Sequence, residues 1–274
     1  MTGQDAALPP GVDPTRPAAA RVYDYILGGT QNTEVDRQAV EHTKKGVPEL
    51  PDIAWSNRGF HQRAARWMAE KGIRQFLDVG SGLPTQNNTH EVVQRVIPDA
   101  HVVYVDIDPM VKAHADDLLR GAANTAVLTG DVREPDPIFD SPEVQSLIDL
   151  DQPVGLFMTG LLMLVDDESD PRGLVQRYVS RLASGSYLAL THPTGDKQAP
   201  EAAERMSGVL GRGGHFNLRP TEYIRTLFDG LELVSPYEGA EPAVTFAGLW
   251  GAVDPEVADS DGSRWMLAGV ARKP

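Results

Sequence analysis

The 274-residue sequence contains no cysteine, which excludes disulfides, thiolate zinc sites and a cysteine nucleophile. Disulfides are rare in reducing compartments, so this composition fits a cytoplasmic protein. Long apolar runs are also missing. Residues 1–20 lack the apolar core of a secretory signal, and the longest apolar segment, residues 154–165, is shorter than the ~20 residues that cross a bilayer. We therefore expect a soluble, cytoplasmic protein without a membrane partner.

Basic residues are in the minority. Lysine and arginine number 25 against 39 aspartates and glutamates, which gives a formal net charge of −14. Tight binding to nucleic acid needs a basic surface, so the charge balance argues against a nucleic-acid partner, and we interpret the acidity as an aid to solubility. A hydrophobic fraction of 41% in a chain of this length is enough to form a sizeable core.

The pattern of apolar residues divides the chain into three parts. Residues 1–17 are rich in Pro, Ala and Gly and predict a disordered tail. Residues 18–72 show helical periodicity and predict an N-terminal helical cap. In residues 73–274, short apolar strands alternate with helical segments, which is typical of a parallel sheet with helices on both faces.

The end of the chain departs from this alternation. Residues 231–236 and 264–272 indicate strands with no helix between them, which predicts an antiparallel closing pair. The intervening residues 237–263, rich in Gly, Asp and Pro, are interpreted as an insertion or lid. The predicted fold class is therefore α/β, with a seven-stranded, mostly parallel, doubly wound sheet and an antiparallel C-terminal strand.

A Gly-x-Gly turn follows the first predicted strand, in the segment LDVGSGLP. Gly80 and Gly82 let the backbone approach a ligand that a Cβ would repel, although such turns also occur for packing reasons alone. Asn88 is the predicted N-cap of the next helix, with Glu91 completing a capping box. Free N–H groups at that helix terminus would suit a small anion such as a carboxylate.

Acids end the next two predicted strands. Asp108 precedes Pro109, a pairing that predicts a helix N-cap. Asp106 stands at the strand tip, where a carboxylate can accept hydrogen bonds from a ribose diol; a solvated strand end is the alternative. Asp131 ends the third strand, where it would accept from an adenine amino group unless it only serves the turn. Together the three strand ends predict a site for an adenosine with a charged tail.

Three segments, LDVGSGLP, VVYVDIDP and LTGDV, resemble the strand-end motifs of S-adenosylmethionine-dependent methyltransferases of the Rossmann-like class. The longer segments ARVYDYILGGTQN and FLDVGSGLPTQNNTHEV resemble an actinomycete family of methyltransferases whose substrates are largely unassigned. The resemblance extends over residues 18–273. It implies S-adenosyl-L-methionine as the cofactor and a Rossmann-like methyltransferase fold with an N-terminal helical cap. One departure is Pro84, which replaces the third glycine of the usual motif.

The resemblance also implies roles for single residues. The glycine turn would contact the methionine part of the cofactor, Asp106 the ribose, and Asp131 with Val132 the adenine. The complete predicted cofactor-binding set is Asp78, Gly80, Ser81, Gly82, Asp106, Ile107, Asp131, Val132 and Thr159.

The acceptor side carries fewer signals. The segment MTGLLMLVDD after the fourth predicted strand lacks a recognisable catalytic acid, base or Asn-Pro-Pro-Tyr motif. Orientation of donor and acceptor can lower the barrier by ~7–11 kcal/mol, whereas a general base adds only ~10²–10⁴-fold, so this does not argue against catalysis. His192, which follows the fifth strand at the functional edge, and Tyr25 on the first helix are the candidate catalytic residues. Packing is the alternative for Tyr25. Arg58 would meet the cofactor carboxylate, meet an acidic substrate or lie on the surface.

No metal site is predicted, because the seven histidines form no i, i+4 pair and Asp106 with Asp108 lacks further clustered acids. We predict an S-adenosylmethionine-dependent methyltransferase that acts on a small-molecule acceptor held under the cap. Two alternatives stay open. One is a non-catalytic S-adenosylmethionine sensor, favoured by the sparse acceptor-side signals; the other is a NAD-type oxidoreductase, whose fingerprint would need glycine in place of Thr85. The sequence specifies neither the accepting atom nor the oligomeric state.

Overall fold

The computed structural model describes residues 8–84, 87–119, 122, 124–208 and 216–274. Its strands are β1 (Gln75–Val79), β2 (His101–Asp106), β3 (Thr125–Thr129), β4 (Gly155–Met158), β5 (Tyr187–Pro193), β6 (Glu232–Leu233), β7 (Thr245–Phe246) and β8 (Met266–Arg272). Within this part of the chain the helices are α1 (Ala19–Ile26), α2 (Glu34–Lys44), α3 (Leu50–Glu70), α4 (Thr89–Gln94), α5 (Pro109–Leu118), α6 (Pro135–Phe139), α7 (Pro142–Leu147), α8 (Pro171–Ser180), α9 (Pro200–Ser207), α10 (Thr221–Thr226) and α11 (Pro255–Ala258). Short 3₁₀ turns occupy Leu162–Leu164, Asp167–Ser169 and Ser263–Trp265.

In the described part of the chain, eight strands form one sheet in the order β3-β2-β1-β4-β5-β8-β6, with β7 also paired to β8. Strands β1 to β5 are parallel, and β8 runs antiparallel to β5, β6 and β7. The predicted doubly wound sheet with an antiparallel closure is confirmed. The additional strand, β7, lies in the stretch interpreted as an insertion, and its two residues are too few to show the alternation that identifies a strand.

Each face of the sheet is covered, which explains the nearly continuous apolar character of its strands. All five residues of β1 are buried. Because side chains alternate along a strand, Phe76 packs into the core that contains Phe60 and Met68 of α3, whereas Leu77 packs into the core on the other face, with Leu156 of β4. The sheet therefore separates two apolar layers and leaves only its strand ends for polar chemistry.

Helix α3 is the element that joins the cap to the sheet. Phe60, Ala64 and Met68 form its buried stripe. The helix is followed by Gly72 with φ of 90°, a left-handed conformation that glycine adopts readily after a helix. The N-terminal half of α3 carries polar residues toward the carboxyl edge of the sheet. Among the described residues, no helix is long and apolar enough to cross a membrane.

The buried guanidinium of Arg21 on α1 connects several segments. It donates to the backbone carbonyls of Asp13 at 3.1 Å and Arg16 at 2.7 Å and to the carboxylate of Asp36 on α2 at 2.9 Å. It also lies 3.5 Å from the carboxylate of Asp108, at the start of α5. The described part of the predicted tail is thus attached to the cap, and the cap to the end of β2. The rest of the predicted tail lies outside the described residues.

Candidate functional site

A cavity of about 330 Å³ opens at the carboxyl edge of the sheet, between helices α1 and α3 and the tips of β1 to β4. Ligand pockets typically occupy ~300–1,000 Å³. The strand order reverses between β1 and β4, the place where open α/β sheets bind ligands. Of the predicted cofactor-binding residues, all but one line this cavity, namely Gly80, Ser81, Gly82, Asp106, Ile107, Asp131, Val132 and Thr159.

The glycine turn after β1 is tied to β2. Gly80 and Gly82 have φ of 71° and 67°, in the left-handed region that glycine tolerates. The amide of Gly80 donates to the carbonyl of Val105 at 2.7 Å, and the amide of Gly82 donates to the carboxylate of Asp106 at 2.8 Å. A Cβ on Gly82 would meet no protein atom within 4 Å. The turn therefore offers the cavity a bare backbone edge with room for a ligand, while these N–H groups stay within the protein.

The capping box predicted at the start of α4 is present. The Asn88 side chain accepts from the amide of Glu91, and the Glu91 carboxylate accepts from the amide of Asn88 at 2.7 Å. The amide of His90 donates to the hydroxyl of Tyr104 at 2.8 Å. These three amides therefore already have partners within the protein and do not face a ligand as free donors. A cationic side chain near the glycine turn would add a second kind of partner for a carboxylate.

Arg58 of α3 reaches this region. It lines both the cavity and a small adjoining pocket of about 20 Å³ on the other side of the glycine turn. Its guanidinium donates to the carbonyl of Asn87 at 3.1 Å and to the side-chain oxygen of Asn88 at 3.3 Å. Arg58 therefore lines the cavity, where a guanidinium could match a carboxylate in both charge and shape.

Asp106, at the tip of β2, lies on the cavity with both carboxylate oxygens anchored. One accepts from Gly82, and the other accepts from the amide of Asp108 at 2.9 Å. Burial raises the pKa of Asp106. Each carboxylate oxygen can accept more than one hydrogen bond, so the anchored group retains lone pairs for a diol. The neighbouring Ile107 is 60% exposed and lines the cavity, where it offers an apolar face to a flat ring.

Asp131, which follows β3, has a partner that the sequence analysis did not identify. Its carboxylate accepts two-pronged hydrogen bonds from the guanidinium of Arg133, two residues later. Hydrogen bonding to Arg133 lowers the pKa of Asp131. An adenine amino group at this position would share the carboxylate with Arg133. Val132 lies between the two and also lines the cavity.

A buried hydrogen-bond chain runs from β1 to the end of β4 through His61 of α3. The hydroxyl of Thr89 donates to Asp78 at 2.6 Å, so it accepts from Nε2 of His61 at 2.7 Å. Nδ1 then accepts from the hydroxyl of Thr159 at 2.8 Å. Burial lowers the pKa of His61 to about 3 and raises that of Asp78 to about 6, so at pH 7 the ring is neutral and the carboxylate mostly ionised. Asp78 lines the small pocket and not the main cavity.

A second polar cluster joins the cap to β5. The side chain of Asn57 donates to the hydroxyl of Tyr23 at 2.9 Å and accepts from the hydroxyl of Thr191 at 2.6 Å. The Tyr23 hydroxyl donates to the carbonyl of Ala54 at 3.0 Å, and burial raises its pKa. Tyr23 and Asn57 both line the cavity. Sequence analysis missed Asn57; the available signal was a polar residue four positions before His61 on the mainly apolar buried face of α3.

The two candidate catalytic residues are not among the residues that line the cavity. His192 is buried, with Nδ1 2.9 Å from the carbonyl of Pro193 and Nε2 accepting from Arg219 at 2.8 Å. Burial lowers the pKa of His192 to about 3. Tyr25 directs its hydroxyl to the carboxylate of Glu41 at 3.3 Å, on an exposed part of the cap. His192 is thus held inside the protein, and Tyr25 has the packing role that was the alternative for it.

The buried guanidinium of Arg219 holds the segment after β4, part of which lines the cavity. Arg219 donates to the carbonyls of Leu162 at 2.8 Å and Val165 at 2.6 Å, and pairs with Asp167 at 2.8 Å. These contacts fix the segment after β4 that faces the cap. Apolar side chains of the cap helices, of the segment after β4 and of the C-terminal half of the chain also line the cavity. We call this set the apolar wall; its members are Ile26, Leu50, Ile53, Met163, Leu164, Met206, Phe216 and Met266.

A family model described as S-adenosyl methyltransferase matches residues 5–274. Among solved structures, the chain is similar to a candidate methyltransferase from Thermobifida fusca, with 41% identity, a TM-score of 0.88 and coverage of 98% of this chain and 99% of that one. It is similar to a DUF574 family protein from Streptomyces avermitilis, with 37% identity, a TM-score of 0.88 and coverage of 96% and 99%. An O-methyltransferase family protein from Burkholderia thailandensis, with 13% identity, a TM-score of 0.51 and coverage of 91% and 75%, shares the fold alone. Comparison with curated proteins gives no match.

Proposed function

The chain belongs to the S-adenosyl methyltransferase family and is an S-adenosylmethionine-dependent methyltransferase, and we propose that it methylates a small organic molecule enclosed between the cap and the sheet. The observation that carries this proposal is that one cavity contains both the strand tips and the apolar wall. When bound, the cofactor supplies a sulfonium methyl group. The residues of this chain hold the two reactants side by side and exclude water from between them.

We propose that the adenosine lies over the tips of β1, β2 and β3. Asp106, held in orientation by two backbone amides, would accept from the ribose hydroxyls. Ile107 and Val132 would pack against the adenine, and Asp131 would accept from its amino group beside Arg133. Gly82 has open space beside its backbone, and the large apolar side chain of Ile107 is exposed although such side chains are usually buried. A bound nucleoside would fill the space at Gly82 and cover Ile107.

The methionine part of the cofactor would then extend along the glycine turn. Arg58 would pair with its carboxylate, since it already donates to Asn87 and Asn88 beside that turn. Thr159 lines the cavity and its hydroxyl donates to His61, so the oxygen keeps lone pairs with which it can accept. An acceptor oxygen suits the ammonium group of the methionine part.

His61 is not proposed as a general base. Burial lowers its pKa to about 3, and a base works best when its pKa lies near the ambient pH. Its Nδ1 already accepts from Thr159 at 2.8 Å. We therefore propose that this chain obtains most of its rate acceleration from orientation in the enclosed cavity, which can contribute ~7–11 kcal/mol.

The proposal is tested by incubating the protein with methyl-labelled S-adenosylmethionine and an actinomycete extract separated into small molecules, proteins and nucleic acids. We expect label in the small-molecule fraction, and none there when Asp106→Asn replaces the wild-type protein. Label confined to the protein or nucleic-acid fraction would contradict a small-molecule acceptor.

A further inference from the structure

We infer that the methyl acceptor is an electrically neutral molecule with a mainly apolar surface, bound against the apolar wall. This inference rests on the proposed function, because it concerns the second ligand of the same cavity. It goes further by naming the chemical class that the wall accepts and the classes that it rejects. Three features of the described residues carry it: the position of the charges, the state of the polar groups and the composition of the wall.

The charged groups of the cavity lie on the side proposed for the cofactor. Asp106 and Asp131 are at the strand tips, Arg133 pairs with Asp131, and Arg58 is beside the glycine turn. None of the described residues of α1 or of segment 159–165, after β4, that line the cavity carries a charge. On α3, Arg58 is the charged residue among those that line it. A charged acceptor on this side would lose its hydration without gaining a counter-ion, which is costly.

The polar groups next to the apolar wall are neutral and already paired. Asn57 donates to the hydroxyl of Tyr23 and accepts from that of Thr191, and burial raises the pKa of Tyr23, so its hydroxyl keeps its proton. His61 is neutral and bonds to Thr89 and Thr159. These groups can orient a hydroxyl or an amide of the acceptor by a single additional hydrogen bond, but they cannot neutralise a carboxylate or an ammonium group.

The wall combines three methionines with Phe216 and branched aliphatic side chains. Methionine side chains adapt their shape and make favourable contacts with aromatic rings. Burying an apolar ligand surface against such a wall contributes roughly 25 cal/mol per Å². An uncharged ring system therefore gains the most from this side of the cavity.

The test compares three probes of nearly equal size on the protein saturated with S-adenosylhomocysteine at pH 7.5: 1-naphthol, which is neutral; 1-naphthoate, an anion; and 1-naphthylmethylammonium, a cation. Dissociation constants are measured by calorimetry or by ligand-observed NMR. We expect 1-naphthol to bind at least about tenfold more tightly than either ion, the ratio that corresponds to 1.4 kcal/mol. Equal or tighter binding of either ion, or no binding of 1-naphthol at millimolar concentration, would overturn the inference.

A matched pair of variants locates the probe. Ile26→Trp, at the end of α1, fills the cavity from the apolar wall, whereas Leu27→Trp makes a comparable change at the next residue, which does not line the cavity. We expect Ile26→Trp to weaken 1-naphthol at least about tenfold and Leu27→Trp to leave it unchanged, with S-adenosylhomocysteine affinity preserved in both. Equal effects of the two variants would overturn the assignment to this wall. Failure of wild-type protein to bind S-adenosylhomocysteine would instead contradict the proposed cofactor site.

Discussion

The amide nitrogen of Gly82 lies 2.8 Å from a carboxylate oxygen of Asp106, and this hydrogen bond joins the tips of two neighbouring parallel strands. The second carboxylate oxygen accepts from the backbone of Asp108. The carboxylate is therefore oriented before any ligand arrives. Preorganisation of this kind lowers the entropic cost of binding.

Gly82 gives the first prediction. Replacing it with alanine places a Cβ where φ is 67° and extends that Cβ into the space proposed for the cofactor. Gly72 is a matched control, since it has φ of 90°, no protein atom within 4 Å of an added Cβ, and a position outside the cavity lining. Each substitution should lower the free energy of unfolding by ~1–2 kcal/mol, measured in urea. Only Gly82→Ala should also weaken S-adenosylhomocysteine in calorimetry, and equal affinities in the two variants would exclude a close approach of ligand to Gly82.

Arg58 is proposed to bind the carboxylate of the cofactor and not its adenosine, and two ligands that differ in this carboxylate test that role. Arg58→Ala should weaken S-adenosylhomocysteine by ~10–100-fold, since hydrogen bonds to charged groups contribute ~1.5–3 kcal/mol. The same variant should bind 5′-methylthioadenosine, which lacks the amino-acid carboxylate, nearly as well as the wild-type protein does. Arg66→Ala, on an exposed face of the same helix, should change neither affinity. An equal loss for both ligands in Arg58→Ala would assign Arg58 a structural role.

Asp78 predicts how stability depends on pH. Burial raises the pKa of this carboxyl to about 6, against an ordinary value of 3.8 in the unfolded chain. Between these pKa values the folded state binds the proton more tightly, so this group favours folding at pH 5 and loses that contribution as the pH rises through 6. The free energy of unfolding of the wild type minus that of Asp78→Asn, both measured in urea, should therefore be about 1 kcal/mol more positive at pH 5 than at pH 7.5. A difference that does not change with pH would contradict the assignment.

Between pH 7.5 and pH 5, the buried histidines change the free energy of unfolding in the direction opposite to Asp78. Burial lowers the pKa of both His61 and His192 to about 3, so the unfolded chain takes up protons that the folded chain does not. Their contribution to stability is present above pH 6.5 and is lost as the pH falls. The contribution of His192 cancels in the comparison with Asp78→Asn, because it is bonded to Pro193 and Arg219 in both proteins. His61 shares Thr89 with Asp78, so the double variant with His61→Gln serves as the control for this residue.

Local rules predicted the sheet and the helix caps from sequence. The strand tips, the capping box of Asn88 with Glu91 and the N-cap at Asp108 depend on residues within a few positions of one another, and all are present. The cap Asp108 accepts from the amide of Met110 at 2.9 Å, as expected for Asp before a first-turn proline. These features depend on side chains and backbone groups that are close together in the sequence.

Features that depend on long-range packing were harder to predict. Tyr23 and Tyr25 are two positions apart, so on a helix they face different directions, and only the packing of α1 decides which one faces the cavity. The partner of His192 is Arg219, 27 residues later in the chain. The Asp131–Arg133 pair is local, but a Gly-Asp turn before a basic residue is too common a pattern to identify it.

Asp108 provides a control for the ribose assignment. It follows Asp106 by two residues, caps α5 and pairs with Arg21 at 3.5 Å. Asp108→Asn should lower the free energy of unfolding, because the buried Arg21 loses a charged partner while asparagine still caps the helix. The affinity for S-adenosylhomocysteine should stay within about twofold, because the variant keeps the backbone amide that orients Asp106. A large loss of affinity in this variant would mean that binding depends on the attachment of the cap.

The most direct test is a calorimetric titration of S-adenosylhomocysteine into the wild-type protein and into Asp106→Asn. The account predicts one site of micromolar affinity in the wild type and a ~10–100-fold loss in the variant, as expected when a charged acceptor of two ribose hydrogen bonds is replaced. No heat with the wild-type protein, or the same dissociation constant for both proteins, would contradict it.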